Sequence, residues 1–175
     1  MSRRAELLAS RIEEGAAGLA AFAEKLSEEE WTVPMALGND RRPVGTIVHH
    51  VASMYPIEIG LVQAIASGQA APDVTWDVVA DINAKHAREV TGTSKTAALE
   101  LLRKNSGEAA AAVRALTDDE LDRAVPLGLA YGAPVTVQFV IEDHPLRHSW
   151  HHLFRIRAAL EQASQAVAEV RRKAS

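Results

Sequence analysis

Four of the chain's seven histidines lie in one short stretch, residues 142–156, at positions 144, 148, 151 and 152. On an α-helix, residues four apart share a face and are separated by about 6 Å along the axis. His148 and His152 would therefore stand one above the other, with His144 on the same stripe one turn earlier. Two imidazole rings at this spacing can bind one metal ion, at about 2.0–2.1 Å from each nitrogen. The spacing predicts a metal site that needs a further ligand from elsewhere in the chain.

The other histidine cluster, His49-His50, is the source we predict for that ligand. Adjacent helical residues lie about 100° apart, so only one of the pair can point straight into a core. His50 follows an apolar residue by three positions and precedes another by four, which places it on the apolar face, whereas His49 lies nearer the edge. We therefore predict a three-histidine metal site of His50, His148 and His152. A pH-sensitive or merely polar patch, and a polar core with hydrogen-bonded histidines, stay open as alternatives.

Composition limits what such a site can be. The 175 residues include no cysteine, which excludes disulfides, thiolate ligands and a cysteine nucleophile. Histidine, carboxylate and water ligands suit Zn, Ni, Fe, Co, Mn or Cu, and we take Zn or Ni as first choices. A net charge of -4 argues against a nucleic-acid partner. Since no apolar run reaches about 18 residues, we expect no membrane span. The N-terminal residues do not have the pattern of a signal peptide, so we expect a cytoplasmic location.

Helical periodicity predicts the elements that position these histidines. Four long helices are expected at residues 3–25, 44–67, 94–116 and 135–163, with a shorter helix at 76–90 and a closing helical segment at 164–173. Capping boxes at Ser27 and Thr117 predict two short helical turns. Pro56 and Pro145 predict kinks in the second and last long helices. No segment shows the alternation of a strand, so we expect an all-α four-helix bundle in one domain spanning residues 1–175.

Residues outside the clusters receive more ordinary interpretations. We expect His86 to lie on the surface, with a place on the cavity rim as the alternative. Trp31 and Met35 are expected to pack against the bundle, with a place in a substrate-pocket wall as the alternative.

Two motifs resemble the DinB/YfiT-like superfamily of four-helix-bundle metalloenzymes. The segment VGTIVHHVA at residues 44–52 resembles the family's second helix, where the ligand position falls on His50. HSWHH at residues 148–152 resembles its last-helix motif, whose outer pair, His148 and His152, binds metal. Family members often continue this motif with RGQI, whereas this chain has LFRI, with Phe154 at the glycine position and Arg155 at the glutamine position. That departure concerns a substrate or partner contact and leaves the ligands intact.

The resemblance implies a divalent-metal-dependent enzyme that transfers an external low-molecular-weight thiol, such as mycothiol or bacillithiol, to an electrophilic small molecule. It also implies a homodimer. The alternative is a non-catalytic bundle that binds a metal or a small ligand. Glu142, Asp143 and His151 are candidates to orient the ligand rings, although His151 is expected to face away. Arg147 and Arg155 are candidates to meet an anionic cosubstrate, or are ordinary surface arginines.

Overall fold

A computed structural model describes residues 2–36, 40–71 and 73–173 of the chain. Gly38-Asn39 and Pro72, whose residue types predict two loops, lie outside these residues. The helices and strands are α1 (Arg3–Glu24), α2 (Glu28–Thr32), α3 (Val44–Ala66), α4 (Trp76–Glu89), α5 (Lys95–Arg114), α6 (Asp118–Asp122), β1 (Ala124–Pro126), β2 (Pro134–Thr136), α7 (Val137–Ile141) and α8 (Arg147–Lys173).

Helices α1, α3, α5 and α8 form a four-helix bundle, as predicted. Helix α5 packs against both α1 and α3, and α8 packs against the same two helices. The two predicted capping boxes are present, since Ser27 and Thr117 each exchange hydrogen bonds with the glutamate three residues later. Trp31 and Met35 are buried, as predicted. None of the described helices is long and apolar enough to cross a membrane.

A glycine lets α8 approach α1 closely at the level of the histidine motif. A Cβ atom at Gly15 would lie 2.7 Å from the indole Nε1 of Trp150, closer than a Cβ atom approaches a non-bonded atom. The absence of a side chain at this position allows the indole of α8 to lie directly against the backbone of α1. This contact lies between the two turns of α8 that carry His148 and His152.

Helix α3 continues through Pro56, which lacks the N–H that would bond to the carbonyl four residues earlier. That carbonyl belongs to Ala52. Asn105 of α5 donates a hydrogen bond from Nδ2 to the Ala52 oxygen at 2.8 Å, and both residues are buried. A side chain from a neighbouring helix therefore replaces the missing backbone donor and ties α5 to α3.

The last long helix differs from its prediction at both ends. It begins at Val137, two residues later than expected, and residues 147–173 form one uninterrupted helix that includes the predicted closing segment. Between α7 and α8, residues Glu142–Leu146 form a π-helical turn that contains Pro145. The wider turn carries the proline without ending the helix, so the irregularity predicted upstream of His148 is present.

The prediction that the chain has no strand is wrong. Strands β1 and β2 pair antiparallel, with Val125 opposite Val135, and a turn that includes Tyr131 in the left-handed region joins them. Each strand has three residues, and Pro126 and Pro134 face each other at one end. Strands this short cannot show a period of two in the sequence, and proline is among the residues least typical of a strand.

Candidate metal centre

The structure brings together His50 of α3 with His148 and His152 of α8. Each of the three offers a ring nitrogen, and these nitrogens all lie within 4.8 Å of one another. The ring centroids are 5.1 Å apart for His50 and His148, 5.4 Å for His50 and His152, and 4.9 Å for His148 and His152. His50 is 4% exposed and His152 is 5% exposed. The three predicted ligands therefore form one compact, largely buried group.

The electrostatic environment keeps two of these rings neutral. Burial, with a smaller contribution from His148, lowers the pKa of His50 to about 2. Burial also lowers the pKa of His152 well below its usual value. Neutral imidazoles are the form that binds a metal, because a protonated ring has no lone pair to donate.

Unsatisfied nitrogens in the same rings fit a bound cation. Among the described residues, no group hydrogen-bonds to the buried Nδ1 atoms of His50 or His152. Leaving a buried polar atom without a partner costs about 1–3 kcal/mol. Three imidazoles that converge with unused nitrogens match the donor set of a catalytic zinc site, which keeps a position open for water or substrate.

A carboxylate that the sequence analysis missed lies beside the group. Glu58 Oε1 is 2.7 Å from His148 Nδ1, an ion-pair distance, although the ring N–H is not aligned with the oxygen for a hydrogen bond. Glu58 is the only charged residue in α3. That isolation was the available signal, because a single carboxylate in a mostly buried helix needs a partner.

A second histidine pair lies next to the first group. His49 Nδ1 and His86 Nε2 are 2.9 Å apart, and the His86 ring centroid is 5.3 Å from that of His50. The prediction that His86 lies on the surface is wrong, since it is 8% exposed. His86 lies on the same face of α4 as Val79 and Ile82, which precede it at helical spacing. All three residues face α3 or the cavity beside it, which explains why His86 is buried. His49 is half-buried, which agrees with its predicted place near the edge.

A cavity of about 560 Å³ lies over the three histidines. Helices α3 and α4 supply much of its apolar wall, and arginines and acidic residues supply polar groups. The apolar residues include Met54, Ile57, Leu61, Val79 and Ile82, and the cationic residues are Arg42, Arg147 and Arg155. A cavity of this size, with a mainly apolar surface beside a cluster of histidines, is typical of a small-molecule site.

Two of the predicted ring orienters, Glu142 and Asp143, pair with other residues in this structure. Glu142 Oε1 accepts a hydrogen bond from Gln138 at 2.8 Å, and Asp143 pairs with Arg147 at 3.3 Å. His144 lines the cavity but lies outside the three-histidine group. The π-helical turn that contains His144 breaks the regular spacing on which the shared stripe of His144, His148 and His152 depended.

The remaining predicted residues lie at the cavity rim. His151 is exposed, as expected for a residue that turns away from the core, yet its ring contacts that of His152 and borders the cavity. Arg155 Nη2 lies 3.5 Å from Asp40, which Arg42 also contacts at 3.0 Å. Burial alone would raise the pKa of Asp40, but the hydrogen bonds and charge of Arg42, with the charge of Arg155, lower it. These arginines are therefore held by a carboxylate that stays ionised.

Comparisons with known proteins agree with this fold. The chain is similar to YfiT from Bacillus subtilis, described as "a probable metal-dependent hydrolase with an unusual four-helix bundle topology", with a TM-score of 0.71 and 18% identity over 94% of this chain and 90% of that one. Two structures of mycothiol-dependent maleylpyruvate isomerase, one of them a mutant, have TM-scores of 0.67 and 0.65 at 14% and 15% identity. Those matches cover 89% of this chain and 63% of the isomerase.

The structural likeness confirms the predicted four-helix bundle. A search of curated protein sequences finds no match. The sequence profile of the DinB superfamily matches residues 11–154, most of the chain. The chain therefore belongs to the DinB superfamily.

Proposed function

We propose that this protein is a divalent-metal-dependent enzyme that acts on a small molecule, with His50, His148 and His152 as the metal ligands. The single observation that carries the proposal is the convergence of three imidazoles, with ring nitrogens within 4.8 Å of one another, beneath a cavity of about 560 Å³. A divalent ion bound there would act as a Lewis acid and lower the pKa of a bound water or thiol.

The chain's own residues supply the remaining functions. Burial keeps His50 and His152 neutral, so that they can donate lone pairs at neutral pH. The apolar side chains of α3 and α4 line the cavity. Arg147 and Arg155, at the rim, place positive charge where an anionic substrate would enter.

The reaction we propose is transfer of a low-molecular-weight thiol, such as mycothiol or bacillithiol, to an electrophilic small molecule. The fold shared with mycothiol-dependent maleylpyruvate isomerase supports this choice. Because the chain has no cysteine, any thiol chemistry needs a thiol from outside. Zn or Ni is the first choice of metal, with Fe, Co and Mn as alternatives.

Metal-dependent hydrolysis is the second candidate reaction. It is favoured by YfiT, which has the highest TM-score of the compared structures and whose length the match covers almost completely. The third outcome is a bundle that binds a metal or a small ligand without catalysis. Incubating the metal-loaded protein with a thiol and an electrophile, or with ester and amide substrates, separates these three possibilities by which reactant is consumed.

The first experiment is elemental analysis of the purified, tag-free protein beside the double variant His148→Ala/His152→Ala. We expect about one divalent ion per chain in the wild type and loss of that ion in the double variant. His151→Ala is the matched control, since it removes a histidine of the same helix from outside the three-histidine group. Absence of metal from the wild type even after incubation with Zn or Ni would refute the proposal and favour the polar-core interpretation.

A homodimer is part of the proposal. Helix α8 exposes large apolar side chains, among them Trp150 and Phe154, the latter 73% exposed. Gel filtration with light scattering measures the oligomeric state, and a monomeric mass would contradict the homodimer without affecting the metal site.

A further inference from the structure

Glu58 is an unusual residue for its position in the fold. Helix α3 has 23 residues, most of them apolar, and Glu58 is its only charged side chain. That side chain is 15% exposed and borders the cavity. Removing a carboxylate from water is unfavourable unless a nearby group compensates for the lost hydration. The helix therefore keeps a charge where an apolar residue would be easier to accommodate.

The group that compensates for this charge is the imidazole of His148. Glu58 Oε1 lies 2.7 Å from His148 Nδ1. The nearby hydroxyl of Tyr55 is already engaged, at 2.7 Å from Ser149 Oγ. Among the described residues, Glu58 Oε2 is buried and has no hydrogen-bond partner, and neither has His148 Nδ1. Each of the two side chains thus has a polar atom without a hydrogen-bond partner. The two ionisable groups lie beside each other.

His148 is the member of the three-histidine group that most needs such a neighbour. It is less buried than His50 and His152, and its side chain is 14% exposed. Among the described residues, it is also the only one of the three within 4.0 Å of a carboxylate oxygen.

We propose that Glu58 is a positioning residue that fixes the ring orientation and the tautomer of His148. The carboxylate favours the proton on Nδ1, which leaves the lone pair of His148 on Nε2. Metal-binding histidines generally donate their second ring N–H to a carboxylate or carbonyl, which orients the ring and raises its basicity. The consequence for the metal rests on the proposed function, whereas the tautomer does not.

The first arm of the test measures the tautomer without any metal. Nitrogen NMR of labelled imidazoles, on chelator-treated protein at mildly alkaline pH, distinguishes a protonated Nδ1 from a protonated Nε2. We expect the wild-type His148 ring to carry its proton on Nδ1, and Glu58→Ala to give a mixture of tautomers. Glu142→Ala is the matched control, because its carboxylate lies just upstream of α8 but accepts from Gln138. Circular dichroism verifies that each variant is folded.

The second arm measures Zn²⁺ affinity by competition with a chromogenic chelator. Glu58→Ala should weaken binding by about 10–100-fold, the usual effect of losing such a partner. Glu58→Gln keeps an acceptor oxygen but no charge, so its loss should be smaller than that of Glu58→Ala. Glu142→Ala should bind Zn²⁺ as the wild type does.

The outcomes separate this inference from the proposed function. If the folded Glu58→Ala variant keeps the wild-type tautomer, or binds Zn²⁺ with wild-type affinity, the role of Glu58 is refuted even though the metal site stands. If the wild type binds no metal but Glu58→Ala changes the tautomer of His148, the proposed function fails and the positioning role stands. A wild-type ring protonated on Nε2 refutes the positioning role in either case.

Discussion

Replacing Asn105 by alanine should destabilise the bundle, because Asn105 supplies a hydrogen bond that a proline of another helix cannot make. Pro56 has no N–H for the carbonyl of Ala52, and Asn105 Nδ2 donates to that buried oxygen at 2.8 Å. Asn105→Ala leaves the carbonyl without a partner in the core. The expected loss in unfolding free energy is about 1–3 kcal/mol, and each kcal/mol lowers Tm by about 2–4 °C for a chain of this size.

A double-mutant cycle isolates the hydrogen bond from the loss of packing. Pro56→Ala introduces an N–H at position 56, which can bond to the Ala52 carbonyl as in a regular helix. In that background Asn105→Ala still loses its side-chain contacts but no longer leaves the oxygen without a donor. The cost of Asn105→Ala should therefore be smaller by about 1–2 kcal/mol in the presence of Pro56→Ala.

Urea unfolding of the metal-free protein, followed by circular dichroism at neutral pH with excess chelator, measures all four corners of the cycle. Removing the metal matters because a ligand that binds only the folded state would add to every apparent free energy. If Asn105→Ala costs the same in both backgrounds to within about 0.5 kcal/mol, the carbonyl of Ala52 is not what Asn105 stabilises.

Three further perturbations test other contacts around the candidate centre. His86→Leu removes the hydrogen bond to His49 that joins α4 to α3, so hydrogen exchange in α4 should accelerate, and unchanged protection would contradict this role. Tyr55→Phe leaves the buried Ser149 hydroxyl without its partner and should lower the unfolding free energy by about 1–3 kcal/mol. The double variant Tyr55→Phe/Ser149→Ala should lose less unfolding free energy, and urea titration measures both. Zn²⁺ at about 100 times its Kd should raise the unfolding free energy by about 2.7 kcal/mol, and His152→Ala should abolish that gain in thermal scans.

The sequence was sufficient to predict features that depend on one helix at a time. The spacing of His148 and His152 placed them on one face of α8, and the apolar neighbours of His50 placed it on the inner face of α3. The caps at Ser27 and Thr117 follow from side chains that bond to their own backbone three residues later. These interactions are local, so the order of residues is enough to identify them.

Glu58 and His86, which the sequence analysis missed or placed wrongly, each depend on contacts between two elements. Glu58 was identifiable as an isolated charge, but only the packing of α3 against α8 shows that its neighbour is His148. His86 was expected on the surface, and its burial depends on His49 from another helix. No single-helix rule identifies a partner across such an interface, since the relative rotation of two packed helices is set by the whole core.

The two internal prolines explain why helical spacing succeeded for one pair of histidines and failed for another. His148 and His152 lie within the regular α8, where four residues return to nearly the same face. His144 lies in the π-helical turn with Pro145, where the wider turn changes the rotation per residue and moves His144 off the stripe. In α3, Pro56 lies between His50 and Glu58, and Asn105 compensates for its missing hydrogen bond so that the helix continues to the carboxylate. Each ligand-bearing segment thus contains a proline close to the site. The surrounding bundle determines whether residues before and after that proline stay on the same helical face.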